Sequence, residues 1–350
     1  MKQISRRVFL GTAAATAAVT FGQFGRRERV LAQTQEINLY SSRHYNTDNA
    51  LYENFTQETG IRVNLIEAGG DELIERIKSE GANSPADILL TVDVARLTRA
   101  DQDGLFAPVS STILTERIPA NLRNPDGHWF GFSKRARVIV YNKQTVNPSE
   151  LSTYEDLANS QWRGRLAVRT SDNTYNQSLV ASLIAVHGEE KTLEWCQGIV
   201  ANMARPPQGN DTAQIEAVAA GIADAAMTNS YYVGNLGVSD EAAKRQVFEA
   251  VGVFFPNQGD RGTHVNISGG GLIKTAPNPE GAILFLEYLS SDSAQSMLAE
   301  GNNEYPVVEG VPLSPIVASF GEFKSDLANL QLVGDLIPQA VLLMDRAGWQ

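Results

Sequence analysis

Cysteine is almost missing from this chain of 350 residues, which holds one, Cys196. A lone cysteine closes no intramolecular disulfide, so no disulfide framework holds this fold. Cys196 falls on the apolar side of a helical pattern in "EEKTLEWCQGIV", with no histidine near it in sequence, and is expected to pack in the core. Basic residues are also short: 29 Lys and Arg stand against 40 Asp and Glu, a formal charge of −11. Nucleic acid is therefore excluded as a partner, because phosphate binding needs a basic face. Past the N-terminus no stretch reaches the roughly 18 apolar residues that span a bilayer. Nucleophile-elbow and phosphate-loop patterns are absent, and so are sequence repeats and low-complexity linkers.

The N-terminus, "MKQISRRVFLGTAAATAAVTFGQFGRRERVLAQ", reads as a signal peptide over residues 1–32, with Gln33 as the first mature residue. Arg6 and Arg7 before Val8, Phe9 and Leu10 give it the twin-arginine type, and the Ala-rich run and Val30-Leu31-Ala32 follow. This implies export across the inner membrane to the periplasm. The segment holds six basic residues and one acidic residue, so its removal takes the formal charge from −11 to −16.

Hydrophobic residues make up 43% of the chain, enough for a real core, and the length suits two or three domains. Strand and helix signals alternate. "EINLYSS" reads as a strand, "NALYENFTQETG" as a helix closed by Gly60, and "IRVNLIEA" as a strand. "DELIERIKSEG" is amphipathic, "ADILLTVD" is a buried strand and "VARLTRADQDG" a short helix. A second stretch repeats the order from "RARVIVYN" through "GRLAVRT" and "YNQSLVASLIAVHG" to "IADAAMTN". "VFFPNQGDRGTHVNISGGGLI" reads as two strands around a turn, its glycines marking a strand or hinge where backbones approach closely. The expected class is α/β, with mainly parallel sheets covered by helices and two lobes between which the chain crosses more than once.

Three loops between a strand and a helix carry uncommon side chains: His44-Tyr45 in "SSRHYNTD", Tyr175 in "RTSDNTYNQS" and Tyr231-Tyr232 in "TNSYYVGN". Ligands of open parallel sheets bind beyond the carboxyl ends of strands, so the three loops can converge across a cleft. One histidine and four tyrosines suit a metal. Phenolate is a hard, fully charged ligand, and forming it from a phenol needs a strongly charged cation, which points to Fe3+ over zinc or calcium. Four phenolates on Fe3+ leave −1, and Arg43 and Arg205 are the candidate cations to offset it. Residue chemistry alone leaves other readings open. Single tyrosines after strands are ordinarily core or surface aromatics, and His44 alone would be a hydrogen-bonded loop residue. His128, His187 and His264 have no second ligand near in sequence and read as structural.

The run of motifs from "LYSSRHYNTD" through "FTQETGIRVNLIEA", "PADILLTVD", "RARVIVYN" and "RPPQGNDTAQIEAVAAGIADAAMTNSYYVG" to "VNISGGGL" resembles the periplasmic ferric-iron-binding proteins of ABC transporters, most closely the cyanobacterial FutA group. The resemblance covers nearly all of the chain after the signal peptide. It implies a two-lobed periplasmic-binding fold with lobe one at 36–135 and 263–312 and lobe two at 136–262 and 313–350. It implies His44, Tyr45, Tyr175, Tyr231 and Tyr232 as ligands of Fe3+, with Fe2+ left open, and Arg43 and Arg205 beside them. Many bacterial relatives add a lobe-one carboxylate and an external anion. Here "ILLTVDVARL" offers Asp93, Tyr45 and Tyr175 would fill those places, and no obligatory anion is expected. The implied protein is a monomeric carrier, not an enzyme, that delivers iron to an ABC permease at the inner membrane. The alternatives are a binding protein of the same fold for an organic solute or oxyanion, and an exported metal-dependent enzyme.

Overall fold

The computed structural model describes residues 36–43, 45 and 47–350. The signal peptide, Gln33 and His44 lie outside the described residues. The chain begins as its hydrophobic alternation predicts, with β1 (Glu36–Ser41), α1 (Asp48–Thr59), β2 (Arg62–Glu67), α2 (Gly70–Glu80), β3 (Ile88–Val92) and α3 (Val94–Gln102). The apolar residues Leu73, Ile74 and Ile77 of α2 all face the core. Gly60 ends α1 in the left-handed region at φ 75°, where its N–H donates to the Thr56 carbonyl at 2.8 Å. β1 pairs parallel with β2 and β3.

After α4 (Thr112–Arg117) comes the long strand β4 (Phe130–Asn142). Then follow β5 (Leu166–Ala167), α5 (Thr174–Asn202), α6 (Asp211–Ala219), β6 (Ala225–Asn229), α7 (Ser230–Gly237), α8 (Ala242–Ala250) and β7 (Val251–Phe254). The chain returns through β8 (Val265–Leu272), α9 (Pro279–Leu289), α10 (Asp292–Asn302) and β9 (Tyr305–Pro306), and ends in α11 (Pro315–Ala318), α12 (Leu330–Asp335) and α13 (Ile337–Arg346).

The architecture is α/β, and its sheet is mixed. The βαβ units give the parallel pairs β1–β2, β1–β3 and β5–β6, while β4 and β8 run antiparallel to their neighbours. β4 joins two halves. Its N-terminal part pairs with β8 as far as Ala136↔Val265, and from Arg137↔Asn229 onward it pairs with β6 and then β7. β7 and β8 both pair with β4, so the expected turn between them is instead a crossing from one half to the other.

β8 is fully buried between β3 and β4. A Cβ on Gly269, Gly270 or Gly271 would lie 2.5, 2.5 and 2.1 Å from the carbonyl oxygens of Phe130, Leu89 and His128. Three consecutive glycines are what lets the neighbouring backbones come that close, as the motif suggested. The helices expected over "YNQSLVASLIAVHG" and "EEKTLEWCQGIV" follow one another directly in α5, separated by the non-helical Gly188 at φ 78°. Cys196 is buried on it, and burial pushes its thiol up to about 12, which makes it inert.

Candidate metal centre

The three loops lead to one place. Tyr45 lies in the connection between β1 and α1, Tyr175 in the first turn of α5 and Tyr231 and Tyr232 in the first turn of α7. Each therefore sits at or just before a helix N-terminus, whose dipole favours negative charge on a nearby oxygen. Asn173 accepts from the Asn176 N–H at 3.3 Å and caps α5 from local sequence, while the start of α7 is held from α6, where Asp211 accepts from the Asn229 N–H at 3.0 Å.

Oη of Tyr175 and Oη of Tyr231 stand 3.4 Å apart, and the rings of Tyr231 and Tyr232 stack at 4.3 Å. Tyr45 comes from the other half, near enough that a charge on Tyr175 would disfavour its ionisation. Burial pushes the Tyr45 phenol up to about 12. Glu304 adds to the rise, and Arg43 and Arg135 oppose it. Burial also raises Tyr231 and Tyr232, each pushed further by the potential charge of Tyr175. Without a cation between them these phenols keep their protons, because burial and the neighbouring phenols disfavour ionisation.

The cations facing the phenol rings are arginines, all buried except the half-buried Arg169. Arg43 lies 4.8 Å from the Tyr45 ring centroid and is held by Asp48 at 2.8 Å and Glu304 at 3.1 Å. Arg135, Arg137 and Arg169 lie 5.7, 5.9 and 5.6 Å from the Tyr175 centroid. Asp211 receives both Arg137 at 2.5 Å and Arg169 at 2.6 Å, and Arg135 donates to Ser268 at 2.8 Å. Among the described residues Nε and Nη2 of Arg135 have no partner, although the side chain is 1% exposed. Arg205, the other cation expected at the site, instead donates to Gln214 and the Ala213 carbonyl on α6 at 3.3 and 3.5 Å. Sequence reasoning missed Arg135 and Arg137. Their signal is present in "RARVIVYN": two arginines two apart share one face of a strand that is otherwise apolar.

Asp93 does not offer free oxygens. Its carboxylate accepts from the Ala95 N–H at 3.0 Å, Ser178 at 2.6 Å and Asn266 at 2.9 Å. The remaining histidines are held elsewhere: His128 beside Asp101 at 2.6 Å, His187 beside Glu155 at 2.7 Å, and His264 buried. No cluster of three or more His, Cys, Asp and Glu residues capable of holding a metal occurs among the described residues. The site's chemistry is that of tyrosine.

Residues 50–325 match the family model described as bacterial extracellular solute-binding protein. This chain belongs to that family. The "Iron uptake protein A1" of Synechocystis sp. is 58% identical, with 100% of each chain covered. The "Fe(3+)-binding periplasmic protein" of Serratia marcescens is 30% identical, over 95% of this chain and 98% of that protein. Among solved structures, the Trichodesmium FutA (IdiA) in complex with iron and citrate ligands superposes with a TM-score of 0.89 at 61% identity, covering 90% of this chain and all of that one. The resemblance to the FutA group of periplasmic iron-binding proteins is borne out. Members of this family are extracytoplasmic and work with ABC transporter permeases. No helix among the described residues is long and apolar enough to cross a membrane.

Proposed function

We propose that the chain captures Fe3+ between its two halves and delivers it to an ABC importer, as a binding protein and not an enzyme. The observation that carries this reading is the convergence of phenols, Tyr231 buried and the others half-buried: Tyr175 and Tyr231 with their oxygens 3.4 Å apart, Tyr232 stacked on Tyr231, and Tyr45 near them from the other half. Tyr45, Tyr231 and Tyr232 are pushed above their ordinary range, so a strongly charged cation is needed to replace their protons, and a trivalent ion also offsets the repulsion among the phenolates that it creates.

The ligands in this reading are Tyr45, Tyr175, Tyr231 and Tyr232, together with His44, which lies outside the described residues. Arg43 balances charge beside Tyr45, and Arg135, Arg137 and Arg169 do so around Tyr175. The lobes divide as 36–135 with 263–312, and 136–262 with 313–350, and iron favours the closed arrangement because both lobes supply ligands. The carrier is a monomer that crosses the inner membrane by the twin-arginine route and docks on its permease when closed. Fe2+ binds more weakly, since it stabilises phenolate less.

Adding ferric citrate to the apoprotein tests this. A visible phenolate-to-iron charge-transfer band is expected, and the variant with both Tyr231→Phe and Tyr232→Phe should lose most of it. A colourless wild-type mixture would refute iron capture, and full colour in the double variant would remove these two residues from the ligand set.

A further inference from the structure

Asp93 follows β3 in the first half of the molecule, and Ser178 lies on α5, which is packed in the second. Ser178 Oγ donates to Asp93 Oδ1 at 2.6 Å, and both residues are fully buried. Tyr175 and Ser178 are three residues apart on α5, so they share one face of the helix. The turn that presents a phenol to the cleft therefore presents a hydroxyl to the opposite half.

The seat of Asp93 is built with care. Its own N–H donates to the Ile267 carbonyl at 2.9 Å, and the next N–H, of Val94, donates to Asn266 Oδ1 at 2.9 Å. Asn266 Nδ2 then holds Asp93 Oδ2 at 2.9 Å, and the Ala95 N–H holds Oδ1. Asp93 occupies φ 78°, ψ 133°, a conformation that a residue with a Cβ rarely adopts. Capping α3 does not require it, because helix caps take ordinary extended backbone. Strained backbone held by surrounding bonds is a mark of functional positions, and here the strain directs a carboxylate across the divide.

We propose that the Asp93–Ser178 hydrogen bond is a closing latch: it forms when the halves meet, and it slows departure of the cargo without touching it. The proposal rests on the iron-carrier reading. Ser178 is then a positioning residue, acting on the closed state and not on the metal. A hydrogen bond to a buried carboxylate corresponds to a factor of roughly 10 to 100 in an equilibrium. Because Asp93 keeps two other donors when Ser178 is lost, the lower end applies.

The test is Ser178→Ala, a substitution that suits a helix and removes one oxygen. The charge-transfer maximum and the iron stoichiometry should match those of the wild type, while transfer of iron to an excess of a strong chelator should run about tenfold faster. The melting temperature of the iron-loaded variant should fall and that of the apoprotein should stay. An unchanged release rate would overturn the latch, and so would equal melting shifts with and without iron, which would make the bond ordinary packing. A wild type that takes no colour would instead overturn the iron reading, and the latch with it.

Discussion

Tyr45→Phe should remove one proton from the iron-binding equilibrium. With its phenol pushed up to about 12, ionising Tyr45 at pH 7 costs about 7 kcal/mol, against about 4 kcal/mol for a phenol at its ordinary value. Iron must more than offset this, and the proton leaves as the metal binds. The sign follows from the bound state carrying fewer protons: at any pH below about 12, acid weakens binding. Each phenolate contributes about 1.4 kcal/mol per pH unit, so four phenolates make affinity fall about ten-thousandfold for one unit of acidification. Phenylalanine leaves three. The variant should bind iron more weakly than the wild type, and its deficit should shrink about tenfold for each unit the pH is lowered. Competition against citrate at several pH values measures this, because protonation of the competitor cancels in the ratio of variant to wild type. A deficit that stays constant with pH would show that Tyr45 gives up no proton, and would refute its role as a phenolate ligand.

Gly270→Ala should destabilise the fold by about 3 kcal/mol in urea unfolding, because the new Cβ meets the Leu89 carbonyl at 2.5 Å and both strands are buried. Glu304→Leu should cost about 3 kcal/mol, since it takes the buried carboxylate from Arg135, 3.6 Å away, and leaves Arg43, 3.1 Å away, with Asp48 alone; equilibrium unfolding measures the loss. His264 is held down to about 3 by burial, with Arg137, Arg261 and Arg135 adding to the effect. Its neutral form contributes stability that is complete above about pH 6.5. That contribution is lost, at about 1.4 kcal/mol per unit, as pH falls towards 3, because the unfolded chain takes the proton first. His264→Gln should flatten the acid limb of stability by that one proton, as read from urea midpoints against pH.

Period and punctuation in the sequence carry most of the fold. Gly60 at the end of α1, the apolar stripe of α2 and the alternation around β1, β2 and β3 are local signals, and local rules read them correctly. The antiparallel crossing of β4 and β8 is not local. "RARVIVYN" and "VNISGGGL" each read as a strand, but which partner β4 takes on either side of Ala136 depends on residues far away in the chain, such as Asn229 for Arg137 and Val265 for Ala136. At the site, the tyrosines are legible because three strand-to-helix loops carry the same unusual group. The arginines are harder to place. Arg205 stands in a loop where a cation is expected to be available, yet Gln214 and the Ala213 carbonyl hold it. Arg135 sits in an apolar strand, which normally excludes charge, and it is there because the charges it faces are buried with it.

That burial has a reason in charge balance. In the proposed ligand set, four phenolates around a trivalent iron carry a net −1, in a place where burial already disfavours charge on every phenol with a raised value. Arg43, Arg135, Arg137 and Arg169 supply four positive charges, and the carboxylates paired with them, Asp48, Glu304 and Asp211, supply three negative ones. The paired network is therefore +1, opposite in sign to the proposed loaded site, while Asp93, whose charge also acts on Arg135, takes its hydrogen bonds from uncharged donors. When the phenols are protonated and no metal is bound, the same network keeps an excess positive charge under them, with Nε and Nη2 of Arg135 unpartnered among the described residues. The network thus favours the ionised phenols and repels a bare cation. On this reasoning Arg135→Met should weaken iron binding while leaving the ligand set and the charge-transfer maximum unchanged. A shifted maximum in that variant would mean that Arg135 acts on the ligand geometry and not through its charge.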